Sequence, residues 1–292
     1  MPELPSDPAV AQFGLQGLRR ISVPASYGTV PAAARAHLAQ VGVPLHVGPY
    51  FIAADDTDGP TLGMYTGHRG VALQGDWAEW VRIGTDRLAH LCVRTDGSVR
   101  AVFLGSGEAA LFVNSDVAAF THCAAALDRA LPVIAASEGL QAAAEAFAAL
   151  VREIRQIDPQ AVTDRENWWS RVLDDVRHTL NFPFSSAFEY VDEDGARQII
   201  TAQAGPGRLH PEEQLWQRLS SAGVEPEQVR RVYCELQPCM MPGHYCAAWL
   251  QAVLPHAEFT HSFDYGDTAE SREEGLKELI THAAQQARQA QQ

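Results

Sequence analysis

Four side chains between His210 and Cys246 have the types and order to do chemistry together. His210 and Glu212 stand two positions apart; Cys239 follows a proline, and six residues separate it from Cys246. An imidazole and thiolates hold zinc tetrahedrally, and three of them leave a fourth position for water. A carboxylate beside such a site has a different task, moving protons between that water and a substrate. Cys234 and His244 lie close enough in sequence to compete as ligands. A structural zinc site of Cys234, Cys239, Cys246 and His244 is therefore the rival reading, and it leaves the upstream His-x-Glu unexplained. Taken singly, His210 is an ordinary surface histidine and each cysteine a small buried hydrophobe. The conjunction carries the signal.

The flanking pattern shows which elements must position these groups. Ser186–Val191 and Arg197–Ala202 alternate around the turn Asp192–Gly195, which predicts a hairpin. A helix over His210–Leu219, a strand over Val229–Leu236, a helix over Gly243–Leu254 and a strand over Glu258–Phe263 follow. A last helix begins near Ala269. The order β-β-α-β-α-β-α sets His210 and Glu212 on the first helix and both cysteines around the start of the second. Met240-Met241-Pro242-Gly243 must turn to bring Cys246 back, and Pro and Gly suit such a turn. Glu213, next in the helix, is expected to point elsewhere.

H-x-E followed by P-C…C resembles the zinc-dependent cytidine-deaminase-like superfamily, and more closely the deaminases of bacterial polymorphic toxin systems. The resemblance implies Zn2+ held by His210, Cys239 and Cys246, with Glu212 as the catalytic proton carrier. It implies hydrolytic loss of an exocyclic amine from cytosine or adenine, in a free nucleotide or a single-stranded nucleic acid. The usual spacing in that superfamily is C-x-x-C; the longer separation here departs from it. Asn181-Phe182-Pro183 resembles the N-F-P-V-G-A segment of free-nucleoside cytidine deaminases, which would make Phe182 a base-stacking residue; a core residue at a domain junction is the other reading. His261, Phe263 and Tyr265 end the fourth strand, where related deaminases carry specificity loops, and Phe263 is the second substrate-binding candidate.

The remaining chain sets the context. A length of 292 residues favours two domains, and 46% apolar residues is ordinary for a globular chain. The first twenty residues lack the apolar run of a secretory signal, and no stretch has the uninterrupted apolar length of a membrane helix, so no membrane partner is expected. Five cysteines, an odd number, suit a reducing cytoplasm better than a disulfide framework. The net charge of −14 argues against a general polyanion binder; from Pro183 onward 8 Lys+Arg face 16 Asp+Glu.

Upstream, a helix over Val30–Gln40 precedes strands at Pro49–Ile52, Leu62–Tyr65, Trp80–Gly84, Leu88–Val93, Val99–Leu104 and Leu111–Asn114. Asp96-Gly97 is a hairpin turn. Ser115 can cap a helix over 116–127, and an alanine-rich helix spans 135–158. Gly105-Ser-Gly107 matches a loose dinucleotide-binding pattern, but Leu111-Phe112-Val113 follows where a helix should start, so it reads as a hairpin loop. Trp168-Trp169, in a helical pattern over Glu166–Leu180, reads as packing against a core or the neighbouring domain rather than as a stacking platform. PAAARAHLAQVGVP, the strand series with its D-G turn, VNSDVAAFTHCAAAL and the IDPQA…NWWSRVL segment resemble the SUKH superfamily of immunity proteins.

The combined expectation is an α+β SUKH-like domain over residues 1–181 and a three-layer α/β deaminase-like domain over 182–292. The function it implies is nucleobase deamination in a bacterial conflict system, in the cytoplasm. The alternative is an immunity protein whose N-terminal domain grips a toxin and whose deaminase-like domain is catalytically idle.

Overall fold

Val81–Thr85, His90–Val93 and Val99–Val102 are almost continuously buried, with Arg82 and His90 enclosed among apolar residues, and they form the middle of a sheet. The computed structural model describes residues 7–24, 30–73, 75–105, 109–181 and 183–289. The chain divides into two units, Met1–Leu173 and Asp174–Gln292.

In the first unit the helices are α1 (Pro8–Phe13), α2 (Ala32–Gln40), α3 (Leu62–Gly67), α4 (Val117–Ala135) and α5 (Leu140–Ile157). Its strands are β1 (Leu18–Arg19), β2 (Val43–Pro44), β3 (His46–Val47), β4 (Phe51–Ala53), β5 (Val81–Thr85), β6 (His90–Val93), β7 (Val99–Val102) and β8 (Leu111–Asn114). β1 pairs with β2, and β3 to β8 form an antiparallel meander in sequence order. β7 pairs with β8, so a strand stands at Leu111–Asn114 where a dinucleotide site needs a helix; residues 106–108, and with them part of the Gly105-Ser-Gly107 pattern, lie outside the described residues. Among the described residues, α4 is the one helix with the length and apolarity of a membrane span, and just over half of it is buried inside the unit, Phe120, Cys123 and Leu127 included.

Three local expectations change. Leu62–Tyr65 is helical in α3, because Thr61 Oγ1 accepts from Met64 N–H at 3.2 Å and caps a turn. Asp116, not Ser115, caps α4, its Oδ1 accepting from Ala119 N–H at 2.8 Å. The long alanine-rich helix begins only at Leu140, after Gly139 takes a left-handed φ of 91°.

Ser115 instead serves a buried network. Asp158 accepts from Asn114 Nδ2 at 3.0 Å, Ser115 N–H at 2.7 Å and Ser115 Oγ at 2.9 Å. Asn114 Oδ1 in turn accepts from Trp169 Nε1, and Asp86 accepts from Trp168 Nε1, each at 2.7 Å. Both tryptophans are core residues, 1% exposed, in α6 (Trp168–Asn181).

The second unit takes α6 from Asp174 onward. It continues with β9 (Ser185–Val191), β10 (Arg197–Gln203), α7 (Pro211–Ser221), β11 (Val229–Leu236), α8 (Cys246–Val253), β12 (Glu258–Phe263) and α9 (Ala269–Gln289). The sheet order is β10-β9-β11-β12, with β12 parallel to β11 and the other pairs antiparallel. Phe188 and Val232 from the sheet pack with Leu215, Leu250 and Leu276 from α7, α8 and α9. Gly275 has no room for a Cβ against the Asp264 carbonyl, so α9 sits directly on the backbone that leads into Tyr265. The mixed helix-and-sheet architecture in two units is the one expected.

The Asp158 network generates a test within the first unit. Asp158→Ala leaves the Ser115 N–H and the Asn114 amide without their acceptor, which costs about 1–3 kcal/mol. Denaturant unfolding of the first unit should register the loss, whereas Gln160→Ala, at the rim, should cost far less.

Candidate active site

A proline at the first position of α7 and a histidine ahead of it start that helix. Glu213 reaches back so that its Oε2 accepts from His210 N–H at 2.8 Å, as the third residue of a capping box does. This holds His210 at the helix cap with an extended backbone and only 4% exposed. The helical repeat then puts Glu212, Leu215 and Leu219 on one buried face. Glu213 is buried as well, against the expectation that it points elsewhere: the capping geometry folds it back over the cap.

The cysteines arrive from the other side of the sheet register. Cys239 follows β11, and the chain turns through Met241, whose carbonyl accepts from His244 N–H and Tyr245 N–H, each at 3.1 Å. Gly243 and Tyr245 both adopt positive φ, 80° and 47°. Ala247 N–H then closes the loop onto the Cys239 carbonyl at 3.0 Å, with Cys246 opening α8. The six-residue separation is thereby spanned. Cys239 Sγ lies 3.4 Å and Cys246 Sγ 3.6 Å from His210 Nδ1, and the three donor atoms fall within 4.8 Å of one another.

The electrostatics suit a cation there. Burial alone would raise the Cys239 thiol, but the Cys246 thiol donating to it and the positive His210 ring hold it well below the ordinary range. Burial and the Cys239 charge push Cys246 the other way. His210 stays protonated in spite of burial, because Cys239 and Asp175 flank it. A metal would replace that proton charge and draw both thiols into thiolate form.

His210 Nε2 lies 3.0 Å from Asp175 Oδ1 on α6. His244 stacks on His210 with ring centroids 3.6 Å apart and 5° between planes. Its Nδ1 is 2.6 Å from Glu213 Oε2 and its Nε2 3.4 Å from Asp175 Oδ2. Both His244 nitrogens face carboxylates, which removes it from the rival four-ligand site.

Among the described residues Cys234 shares no convergent donor group with Cys239, Cys246 and His244 either. It pairs across the strands with Ser186 on β9, beside Glu212. Ser186 Oγ donates to Glu212 Oε1 at 2.9 Å, while the buried Glu212 Oε2 accepts no hydrogen bond among the described residues. Glu212, His210 and Cys239 line a cavity closed by Phe184, Leu236, Gln237, Tyr265 and His178. Its volume is about 10 Å³, room for about one water.

Of the two aromatic candidates, Phe182 lies outside the described residues. Phe263 packs half-buried at the edge of the core, its ring 5.6 Å from the His282 ring, and is absent from the cavity wall. Phe184, two positions after Phe182, lines the cavity instead, its ring edge-on to His210 at 6.0 Å. Tyr265 also lines it, with its hydroxyl 2.6 Å from His178 Nδ1. Arg177 can only donate to His178 Nε2, so the His178 proton sits on Nδ1 and donates to the Tyr265 oxygen. The sequence pattern singled out neither Asp175 nor His178; both precede the hairpin, and only helical spacing on α6, at i and i+3, marked them as neighbours.

Glu213→Ala removes the acceptor of His210 N–H and of His244 together, and should destabilise the second unit by about 1–3 kcal/mol in denaturant melts. Burial, with Arg177 beside it, pushes His178 down to about 4 from its ordinary 6.5. The unfolded chain therefore binds a proton that the folded chain does not across that window, and stability falls as pH drops from 6.5 toward 4. Melts at successive pH values should show this slope, and His178→Gln should make it shallower by the share of one histidine.

A family model for the SUKH-4 immunity protein matches residues 5–175, and one for a Xanthomonas-like deaminase matches residues 183–282. No curated protein and no solved structure matches the chain. The deaminase match contains His210, Glu212, Cys239 and Cys246 but not Asp175 or His178. With more than half of its length in the first match and the convergent site in the second, the chain belongs to the SUKH-4 immunity protein family, joined to a deaminase-like C-terminal domain.

Proposed function

We propose that the C-terminal domain is a Zn2+-dependent hydrolytic deaminase. It removes the exocyclic amine of cytosine or adenine, in a free nucleotide or a single strand, within a cytoplasmic bacterial toxin–immunity system. The observation that carries this reading is the convergence of His210 Nδ1, Cys239 Sγ and Cys246 Sγ within 4.8 Å, with Glu212 buried on the same cavity. His210, Cys239 and Cys246 would hold the metal, and bound there it would supply an activated water. Glu212 has one oxygen anchored by Ser186 and the other without a hydrogen bond, so the carboxylate stays oriented while Oε2 moves a proton to the ring nitrogen and the departing amine. The Phe184 and Leu236 side chains keep bulk water from that transfer.

The substrate reading follows from charge. Phosphate contacts supply much of the affinity for a polynucleotide, and of the second unit's arginines Arg231 is paired with Glu258 at 3.0 Å and Arg197 with Glu189 at 3.5 Å, both at the strand ends away from Ser186 and Leu236. A base must also leave its stack, which costs least in a single strand or free nucleotide. Duplex substrates are therefore disfavoured. A second reading rests on the SUKH-4 match: the N-terminal unit binds a toxin, and the C-terminal domain is a zinc-stabilised module without turnover.

The purified chain should carry about one zinc, as one such site requires. Cys239→Ser or Cys246→Ser should lose it and Cys234→Ser should keep it, by elemental analysis. Glu212→Gln should retain zinc and lose deamination by about 10²-fold or more, assayed on cytidine, adenosine, their phosphates, and single- and double-stranded oligonucleotides. Zinc-loaded parent protein that is inert on the whole panel would favour the toxin-binding reading.

A further inference from the structure

We propose that Asp175, His244 and Glu213 are positioning residues of the metal centre, an assembly that aims the His210 ring and makes the long cysteine separation workable. This rests on the reading of His210, Cys239 and Cys246 as a zinc site.

The His210 ring is held on three sides. Its backbone N–H donates to Glu213, its Nε2 faces Asp175 at 3.0 Å, and its flat side is covered by His244 at 3.6 Å. A carboxylate at Nε2 keeps a proton on that nitrogen, so that Nδ1, which faces the two sulfurs, is the nitrogen that would give up its proton to a metal. A carboxylate behind a ligating imidazole also raises its basicity and restrains its rotation. His244 is tied into the same assembly, with Nδ1 2.6 Å from Glu213 and Nε2 3.4 Å from the second oxygen of Asp175. All four side chains are at least 96% buried, so bulk solvent does not compete for these contacts.

The cysteine spacing gains a reason from this. His244 lies within the six residues between Cys239 and Cys246. A two-residue spacer reaches from thiol to thiol but has no room to present a ring at that depth. Asp175, His210 and His244 also bring three donor atoms within 4.8 Å, as a second ion would require. Each of those nitrogens already faces a carboxylate oxygen at hydrogen-bonding or near hydrogen-bonding distance, so a hydrogen-bonded support accounts for them without another ion.

The test uses the full chain with Asp175→Asn, Asp175→Glu and His244→Gln. Zinc affinity is measured by chelator competition at a temperature where circular dichroism shows each metal-free variant folded, and Co2+ is substituted to read the ligand field. Asp175→Asn and His244→Gln should bind zinc about 10–100-fold more weakly, with altered Co2+ absorption, and Asp175→Glu should recover part of the loss. Folded variants that match the parent within twofold would overturn the proposal, and so would two zinc ions per parent chain. Failure of both Asp175→Asn and His244→Gln to fold without metal would assign the assembly to folding and overturn it equally. A parent chain that binds no zinc would sink the zinc reading itself, which separates the two failures.

Discussion

Both nitrogens of one buried imidazole are committed, and the second unit is built to keep them so. His210 Nδ1 faces two sulfurs and Nε2 faces a carboxylate. The groups that meet there come from α6, the cap of α7, the loop after β11 and the first residue of α8. None of them is stable in the interior alone, since an unpaired buried charge costs several kcal/mol. Together they give each buried charge a partner: the His210 ring lies between Cys239 and Asp175, and the Cys246 thiol donates to Cys239. The sheet register and the close approach of α9 at Gly275 matter because they hold these four points at fixed separations.

Adjacent glutamates show how one helical turn separates two tasks. Glu212 faces the cavity with an oxygen that accepts no hydrogen bond among the described residues. Glu213, one residue on, is turned back over the cap and shared between a backbone amide and a second imidazole. The first is exposed to chemistry because the second absorbs the local hydrogen-bonding demand.

Much of this was legible from residue order. The β-β-α-β-α-β-α series was visible because each element has its own period and its own turn residues, and H-x-E with P-C…C marks the candidate ligands by type. Asp175 was not visible, because its link to His210 crosses 35 positions and leaves no local period. Glu213 was misread because a histidine stands where a capping box usually has serine or threonine. Leu62–Tyr65 looked like a strand from its apolar residues, yet Thr61 ahead of it supplied a cap. Ser115 and Asp116 are both competent caps, and only the distant Asp158 decides between them.

The position of Asp175 also bears on how such proteins are assembled from parts. The segment recognisable as deaminase, residues 183–282, carries every ligand candidate and Glu212, yet the carboxylate behind His210 is encoded before it. A recombination event that moved only the recognisable segment onto a new partner would deliver the ligands without their backing. The compact unit is longer than its recognisable signature: it begins at Asp174, within α6 rather than in a linker.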